Sequence, residues 1–519
     1  MSVPFAWTAQ DAGIKTCIRD TSPPLPSDGA VRLTKPCRSR DFGRLHIHEE
    51  IRVVELDAGG SARGDGDSLA ASLERRAPAR GRAERAQNNK GESEAGETVC
   101  CPRELLHRVL EQMVIIVPCK NEEVEVIKHV ITAIPASCLV ILASNCERRV
   151  HDRYVQQVEM LKTFDGSPRQ ILAVHQKDIG AAAAFKEAGM PELVDPVDGT
   201  IRNGKGEGML LGIAIAAAFF PERRYVGFID ADNFYPNSVN EYCRAFAAGL
   251  ALSQPPELEH TMVRLRWSSK PKFQGGQLVF VREGRCSRIV NSWLNKLLVS
   301  VGAECSRMDT GRVPTNKTGE GAGLVSTGNA GEHAMTMELA SKLRMAAGYA
   351  IEPFHFTDLL ERSGHCVSSG KQNGVAYGTP SHRGNINGAR KTPQPLQKPV
   401  RVLQIRTLSP HFHRASDKAH IRSMWAAGLG AVYHHLSHLS PGEATSGSEA
   451  IKTLRKEMHS FAAEHGGIDP RTGELPRPTV YPALDGIDME RFRRVLGMSG
   501  LAGSLKCFGL ARNGNRIHP

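Results

Sequence analysis

The chain of 519 residues carries a formal net charge of +11 at pH 7, and 40% of its residues are hydrophobic. This length allows two to four domains, but 50 glycines and 30 prolines indicate that much of the chain lies outside a core. The most apolar segment, residues 209–220, is about half of the roughly 20 residues that a bilayer span requires. Because residues 1–20 also lack the apolar run of a secretory signal, we expect a cytoplasmic protein without a membrane partner.

The positive charge is concentrated in arginine-rich, low-complexity segments rather than along a patterned helix. Aromatic residues make up 6% of the chain and are not interleaved with the basic ones, so we expect no nucleic-acid partner and rank a non-enzymatic RNA-binding protein last. Small substrates that carry phosphate also suit a basic chain. The twelve cysteines show no paired Cys-x-x-Cys spacing, which is typical of reduced thiols rather than of a zinc site.

Residues 1–110 contain proline-rich, arginine-rich and polar tracts. Such tracts cannot bury enough apolar surface to offset the entropy of ordering the chain. We therefore predict a low-complexity, disordered N-terminal extension, in which residues 31–33 and 51–56 form at most a strand or two. The folded region is expected to begin near Met113.

From Met113 onward, short apolar segments alternate with amphipathic ones. The predicted strands cover residues 113–117, 138–143, 171–174, 224–229, 262–267 and 277–281, and the predicted helices cover residues 122–133, 149–164, 206–220, 238–252, 286–301 and 334–345. Repeated strand–helix pairs predict an α/β fold with a Rossmann-like, mostly parallel sheet that has a mixed part and helices on both faces.

Two polar stretches, about residues 304–323 and 363–398, interrupt this pattern. Structureless loops of this length are uncommon inside a compact domain, so we predict insertions or a faulty gene model. A strand at 402–405 and helices at 420–439 and 450–464 follow them. We predict a catalytic domain at residues 111–440 and a C-terminal helical segment and tail at residues 441–519.

The most informative segment is an apolar run from Tyr225 that ends in Asp230 and Asp232, immediately before a turn. Side chains alternate along a strand, so both carboxylates point the same way at the edge where open α/β sheets bind ligands. Such a pair suits Mg²⁺, Mn²⁺ or another divalent cation shared with a substrate's phosphates. Helix capping is the alternative reading, but Ser238 and Glu241 form a capping box that leaves the upstream pair without that role.

Polar turns beside the predicted strands supply candidate nucleotide contacts. These residues are Pro118, Lys120, Asn121 and Glu122 after the first strand, Ser144 at the end of the second, and Lys205 in a glycine-rich turn. Lys205 precedes a helix, where a mobile cation and free N–H groups suit a diphosphate, although a plain flexible loop is the alternative. Asn121 can instead cap a helix, and Glu122 can complement the helix dipole.

Later segments supply candidate contacts for a phosphate, for a substrate and for the cation. They are Gly284, Arg285 and Ser287 at a helix start, Arg264 on a strand, Thr327, Gly328, Asn329, Ala330 and Glu332 in a small-residue turn, and His411 and His413 in an extended segment. A helix N-terminus with a guanidinium and a hydroxyl suits a phosphate. One of the two histidines can complete the shell of a cation, although His-x-His without another ligand does not establish a metal site.

Taken in order, six motifs resemble the mannosyl-3-phosphoglycerate synthase family. They are VPCKNE from Val117, GKGEGM from Gly204, YVGFIDADN from Tyr225, GR-x-S from Gly284, TGNAGEHA from Thr327 and PHFH from Pro410. The resemblance spans roughly residues 113–440 and implies a GT-A glycosyltransferase fold. It implies transfer of mannose from GDP-mannose to the 2-hydroxyl of 3-phosphoglycerate with retention of configuration, release of GDP, and a place in the synthesis of the compatible solute mannosylglycerate.

The resemblance also implies roles for individual residues. It places Pro118, Lys120, Asn121, Glu122 and Ser144 around guanine and ribose, Lys205 near the diphosphate, Asp230 and Asp232 at Mg²⁺ with His411 or His413, Gly284, Arg285 and Ser287 at the acceptor phosphate, Thr327 to Ala330 at the glycerate and the sugar, and Glu332 near the mannose. A homodimer is left open. The N-terminal hundred residues and both interruptions depart from the family pattern.

In this reading, the cation and Lys205 stabilise the negative charge on the departing diphosphate, and positioning of the acceptor supplies proximity. Retention by a same-face substitution is favoured over a covalent intermediate on Glu332. The sequence leaves open a related glucosyl-3-phosphoglycerate synthase and, more distantly, a sugar-nucleotide pyrophosphorylase.

Overall fold

The protein is described by a computed structural model. The described residues are 30–36, 39–56, 97–148, 152–233, 235–274, 276–310, 323–363, 395–411, 418–436, 446–497 and 503–509. His413 and most of the two predicted insertions lie outside these ranges. The helix that begins at Arg285 continues to Thr310, so the first seven residues of the first predicted insertion, 304–310, are helical.

Strands and helices alternate along much of the chain, as the sequence predicts, and the described strands form one large sheet and two small ones. The strands are β1 (Val31–Thr34), β2 (Ser39–Phe42), β3 (Leu45–Leu56), β4 (Thr98–Cys101), β5 (Met113–Cys119), β6 (Leu139–Ser144), β7 (Gln170–His175), β8 (Tyr225–Phe228), β9 (His260–Arg266), β10 (Lys270–Gln274), β11 (Gln277–Val281), β12 (His333–Thr336), β13 (Met345–Ala346), β14 (Val400–Arg406), β15 (Val480–Tyr481) and β16 (Lys506–Phe508).

The helices cover both faces of this sheet and form the C-terminal part. They are α1 (Arg103–Glu111), α2 (Val124–Ala133), α3 (Arg153–Leu161), α4 (Ile179–Ala188), α5 (Lys205–Phe219), α6 (Pro236–Ala251), α7 (Arg285–Thr310), α8 (Met337–Lys342), α9 (Ile351–Ser363), α10 (Lys418–Leu436), α11 (Ser446–Glu464) and α12 (Met489–Gly497). Within the described ranges, no helix has the length and apolar content that a membrane span requires.

The main sheet contains twelve of the described strands in the order β16-β7-β6-β5-β8-β12-β9-β14-β3-β1-β4, with β2 paired to β3. Strands β7, β6, β5 and β8 are parallel, and so are β9, β14 and β3. Strand β12 runs antiparallel between β8 and β9. The predicted α/β class, with a parallel part and a mixed part, is therefore confirmed.

Alternation along β5 explains why both faces of the sheet are covered. Val114 and Ile116 pack into one apolar cluster, and Ile115 and Val117 pack into the other. Successive side chains of a strand point to opposite faces, so an uninterrupted apolar strand needs helices on both sides. Helix α5, predicted as a buried helix, is almost entirely buried in the first cluster.

The N-terminal boundary of the folded domain needs correction. Strand β3 pairs in parallel with β14, and β1 lies between β3 and β4, so all three extend the main sheet. Their inward side chains, including Val31, Leu33 and Ile47, are fully buried. Strands β1 and β4 have only four residues each, and the partner of β3, strand β14, lies more than 300 residues away, so local composition indicated no more than a strand or two at residues 31–33 and 51–56.

Two other element predictions are wrong. Residues 334–345 were predicted as one helix, but β12 occupies the first part because His333 to Met335 pair with both β8 and β9. Tertiary pairing has overridden the helical pattern there. Residues 277–281 form a strand as predicted, but it pairs only with β10 in a separate two-stranded hairpin and is not part of the main sheet.

Candidate active site

A cavity of about 810 Å³ opens at the carboxyl ends of the parallel strands and under the β10–β11 hairpin. Ligands bind at this edge in open α/β sheets. The cavity brings together residues that the sequence scatters over nearly 300 positions. The predicted residues that line it are Pro118, Lys120, Glu122, Lys205, Asp230, Asp232, Gly284, Arg285, Ser287, Thr327, Asn329, Ala330, Glu332 and His411.

A buried lysine–carboxylate cluster lies at the centre of the cavity. Lys205 is the first residue of α5, and its Nζ lies 2.6 Å from Oδ1 of Asp230 and 2.8 Å from Oε1 of Glu352. Burial alone would lower the pKa of the Lys205 ammonium, but the two carboxylates raise it well above its ordinary value. Lys205 is therefore a permanent cation, and it sits where free N–H groups of a helix terminus add further positive potential.

Glu332 is a second buried acid beside this cluster. Burial and the charge of Asp230 raise the pKa of Glu332 to about 7. The side-chain amide of Asn233 donates to Oε1 of Glu332 at 3.1 Å and to the backbone oxygen of Asp230 at 2.8 Å. This bridge fixes the turn that carries the paired aspartates against Glu332, which immediately precedes β12, because one amide group bonds to both.

His411 faces the same cavity from the segment after β14. Its backbone N–H donates to the oxygen of Ser269 at 2.8 Å, its ring stacks on Trp267, and its Nδ1 lies 3.3 Å from the Tyr242 hydroxyl. Burial and the positive charge of Lys270 lower the pKa of His411 to about 3. The imidazole is therefore neutral near pH 7, which is the form that binds metal ions.

The position of His411 depends on α6, and the predicted capping box at its start is wrong. The helix begins at Pro236, and the buried carboxylate of Glu241 accepts the backbone N–H groups of Leu408 and Ser409 at 2.5 and 2.8 Å. Ser238 donates from its hydroxyl to the oxygen of Pro410 at 2.9 Å. These side chains serve the 408–411 segment rather than their own helix.

The side chains of this site fit a hard divalent cation whose remaining ligands are water molecules and substrate oxygens. Asp230, Asp232 and His411 all line the cavity, and they would supply two carboxylates and a neutral imidazole to such an ion. Within the described ranges, no three His, Cys, Asp or Glu side chains are already arranged to hold a metal ion. Mg²⁺ is commonly bound through one or two carboxylates and completed by water and phosphate, so such a cage is not required.

Four predicted contact residues do not line the cavity and instead shape its walls. Ser144 is buried and donates to the Cys146 sulfur. Asn121 has a left-handed φ of 62°, and its side chain accepts from the Glu147 N–H at 2.9 Å, so it stabilises a turn. Gly328 is needed because an added Cβ would lie 2.5 Å from Leu294 and 2.8 Å from Asn291.

Arg264 is the fourth of these residues. It is fully buried, donates from Nε to the oxygen of Thr327 at 3.0 Å and from Nη2 to the oxygen of Glu352 at 3.1 Å, and stacks over Phe356. Its partners are backbone groups on two walls of the site. The expected contact with substrate is therefore replaced by a supporting role, in which Arg264 holds the Thr327 turn and α9 in place.

Glu352 is a functional candidate that sequence reasoning missed. It is buried in α9, next to Ile351 and Pro353, and it binds Lys205. Its place in the apolar segment Ile351–Phe354 at the start of α9 is the signal that points to it, because an acid is seldom fully buried without a partner.

The fold and the site together define an α/β enzyme that acts on a phosphate-bearing substrate at the carboxyl edge of its sheet. The family model described as mannosyl-3-phosphoglycerate synthase (osmo_MPGsynth) matches residues 35–496. The chain belongs to the mannosyl-3-phosphoglycerate synthase family, and it is accordingly a glycosyltransferase. The resemblance of its motifs to this family is thereby confirmed.

Two relatives illustrate the similarity. The chain is 35% identical over 396 residues to mannosyl-3-phosphoglycerate synthase of Pyrococcus furiosus, covering 76% of this chain and 86% of that protein. It is 27% identical over 453 residues to the Aeropyrum pernix protein of the same name, covering 87% of this chain and 93% of that one.

Among solved structures, the chain is similar to glucosyl-3-phosphoglycerate synthase from Mycobacterium tuberculosis in complex with Mn²⁺, UDP and glucosyl-3-phosphoglycerate. The identity is 16%, the TM-score is 0.36, and the match covers 64% of this chain and 83% of that one. A similarity of this size supports no statement about the ligands of the present chain.

Proposed function

We propose that this chain transfers mannose from GDP-mannose to the 2-hydroxyl of 3-phosphoglycerate, with retention of anomeric configuration and release of GDP. The observation that carries the proposal is the joining, in one cavity, of a permanently charged lysine, paired aspartates and a guanidinium-bearing helix start. Family membership supplies the reaction, and the cavity supplies the groups that the reaction requires.

The donor half of the cavity lies between β5 and α5. Pro118, Lys120 and Glu122 line it at the end of β5, where a base and its ribose would lie. Lys205 would bind the diphosphate, and its position at a helix start favours an anion. Asp230 and Asp232, with His411, would hold Mg²⁺ or Mn²⁺, which when bound neutralises charge on the diphosphate.

The acceptor half of the cavity lies between the β10–β11 hairpin and the start of α7. Gly284, Arg285 and Ser287 would hold the phosphate of the acceptor, with a guanidinium fork, a hydroxyl and backbone N–H groups as donors. Thr327, Asn329 and Ala330 line the adjoining wall and would contact the glycerate and the sugar. Placing the acceptor hydroxyl beside the anomeric carbon supplies the proximity contribution to catalysis.

Retention follows most simply from substitution on one face of the sugar. The anomeric C–O bond to the diphosphate breaks as the acceptor hydroxyl adds from the same side, and the departing phosphate oxygen takes the hydroxyl proton. Lys205 stabilises the negative charge that develops on that oxygen. Glu332 lies beside the cluster. Because its pKa is raised to about 7, its carboxyl group stabilises an oxocarbenium-like centre less well than a fully ionised carboxylate would.

The test is to incubate the purified protein with Mg²⁺, 3-phosphoglycerate and, separately, GDP-mannose, GDP-glucose and UDP-glucose. We expect a product one hexose heavier than the acceptor, formed with GDP-mannose, with GDP released and the α configuration retained in its NMR spectrum. Preference for a glucose donor would identify a glucosyl-3-phosphoglycerate synthase instead. Formation of GDP-mannose and pyrophosphate from GTP and mannose 1-phosphate, without any hexose transfer to 3-phosphoglycerate, would overturn the transferase assignment.

A further inference from the structure

Three arginines lie side by side on adjacent strands, and one of them, Arg266, lines the cavity. Arg406 of β14 is in register with Arg52 of β3 on one side and with Arg266 of β9 on the other. Like charges at matching positions of neighbouring strands repel each other and destabilise a sheet. Such a row therefore calls for a compensating negative charge.

The preceding row on the same strands shows what ordinary compensation looks like. Glu50, Gln404 and Arg264 occupy the register positions two residues earlier and so point to the same face. Gln404 accepts from the Ser326 N–H and the Thr327 hydroxyl, both at 2.8 Å, and Glu50 accepts from the Ser326 hydroxyl at 3.0 Å. This inner row is fully engaged with the turn at residues 324–327.

The outer row, which we call the arginine row (Arg52, Arg266 and Arg406), is not compensated in this way. Glu50 pairs with Arg266 at 2.8 Å and with Arg406 at 3.5 Å. Among the residues that the structure describes, the guanidinium of Arg52 pairs with no carboxylate. The carboxylate of Glu50 thus pairs with two of the three guanidinium groups of this row.

A fourth arginine joins this row to the cavity. Arg282, at the end of β11, lines the cavity together with Arg266. Burial lowers the pKa of Arg406, and the positive charges of Arg52, Arg266 and Arg282 lower it further, against the opposing effect of Glu50. Arg406 is therefore within electrostatic reach of the other three arginines, and Arg266 and Arg282 line the same cavity as the Gly284–Ser287 helix start.

We propose that Arg266 and Arg282, which line the cavity, form with the neighbouring Arg406 and Arg52 a second anion subsite at the acceptor end of the cavity, which binds a phosphate or carboxylate group. Guanidinium forks match the planar oxygen pairs of these groups and bind them with two hydrogen bonds. The subsite deepens the proposed function and depends on it only for the identity of the acceptor. It explains why an acceptor with two anionic groups would be selected over a neutral polyol.

The same chemistry has two sources, which are the acceptor itself and a separate small anion that acts beside it. The experiment therefore uses titration calorimetry on the full chain without a nucleotide sugar, with 3-phosphoglycerate and with inorganic phosphate as the probes. The test variant is Arg52→Gln combined with Arg282→Gln, because both side chains are exposed and their loss leaves the Glu50 pairs intact. The matched control is Arg40→Gln, an exposed arginine on the neighbouring strand β2.

We expect the double variant to bind 3-phosphoglycerate at least tenfold more weakly, while the control binds it as the unaltered protein does. Weaker binding of inorganic phosphate with unchanged binding of 3-phosphoglycerate would support the subsite and assign it to a separate anion. Unchanged affinity for both probes would overturn the subsite. The calorimetry contains no nucleotide sugar, so its result does not depend on the transfer assay. Failure to use GDP-mannose in that assay would contradict the proposed function but would leave the test of the subsite unaffected.

Discussion

Nζ of Lys205 lies 2.6 Å from Oδ1 of Asp230, so the cation at the start of α5 binds the first of the paired carboxylates at the end of β8. Glu352 holds the same ammonium from the opposite side at 2.8 Å. The cluster carries a net charge of −1 before any ligand enters. An incoming diphosphate can bind the Lys205 ammonium, and a divalent cation can bind the Asp230 carboxylate. Both side chains are already in the cavity, so little of the protein has to rearrange before catalysis.

Replacing Lys205 with methionine should lower kcat by about 100- to 1,000-fold, the range found when one donor to a developing oxyanion is removed. The change also leaves Asp230 and Glu352 unpaired, so the free energy of unfolding should fall as well. Initial rates of GDP release and thermal unfolding measure the two effects separately. The control is Lys177→Met. Lys177 pairs with the exposed Asp198, and neither residue lines the cavity. A kcat within threefold of the unaltered enzyme would contradict the role of Lys205.

Asp232→Asn should weaken binding of the divalent cation and lower the transfer activity with it. An amide is a far poorer ligand for Mg²⁺ or Mn²⁺ than a carboxylate, so Mn²⁺ affinity measured by titration should fall at least tenfold and transfer by at least about 100-fold. Asp198→Asn, which alters an exposed aspartate bonded to Thr200, is the matched control. Full transfer by the Asp232 variant in the presence of a chelator would end the metal assignment.

The sequence predicts the central half of the fold well because the signals there are local. Strands β5, β6 and β8 are continuous apolar runs, and the helices between them carry clear periodicity, so their boundaries agree within a few residues. The paired aspartates fall at a strand end, and the general rule for open sheets places them at the ligand edge. Pro118, near the end of β5, and Lys205, at the start of α5, line the same cavity.

What the sequence does not predict depends on contacts between distant segments. Arg264 looks like an exposed strand arginine until the backbone oxygens of Thr327 and Glu352 are placed beside it. Strand β12 has a helical pattern, and only pairing on both sides makes it a strand. Likewise, Glu241 bonds to backbone N–H groups 167 and 168 residues away, which no capping rule for a single helix can anticipate.

Acid should destabilise the protein through His260. This histidine is fully buried, and burial lowers its pKa from 6.5 to about 4. Because the unfolded chain binds the proton more readily, the contribution is fully present above pH 6.5 and is lost as the pH falls toward 4, with a slope below about 1.4 kcal/mol per pH unit. Thermal unfolding from pH 7 to 4 should therefore show a shallower decline for His260→Leu. The exposed His129→Leu serves as control, and equal slopes for both variants would contradict this account.

Gly331→Ala should inactivate the enzyme while leaving its fold intact. An added Cβ would lie 2.3 Å from Oδ2 of Asp230 and 2.8 Å from Nζ of Lys205, so one of these side chains must move. Displacing either one disturbs the ion pair at the centre of the cavity, and misplacement by about 1 Å can lower the rate roughly 100-fold.

The matched control for this glycine is Gly486→Ala, because a Cβ added at Gly486 meets nothing within 4 Å. The loss of unfolding free energy in the Gly331 variant should stay within the roughly 1–3 kcal/mol that overpacking costs, so circular dichroism should show a folded protein. Steady-state kinetics should then separate the two substitutions, with kcat/KM for GDP-mannose falling in the Gly331 variant alone. Equal kinetics for both glycine variants would mean that the Lys205–Asp230 pair tolerates displacement, and the preorganised cluster would then have no part in the rate.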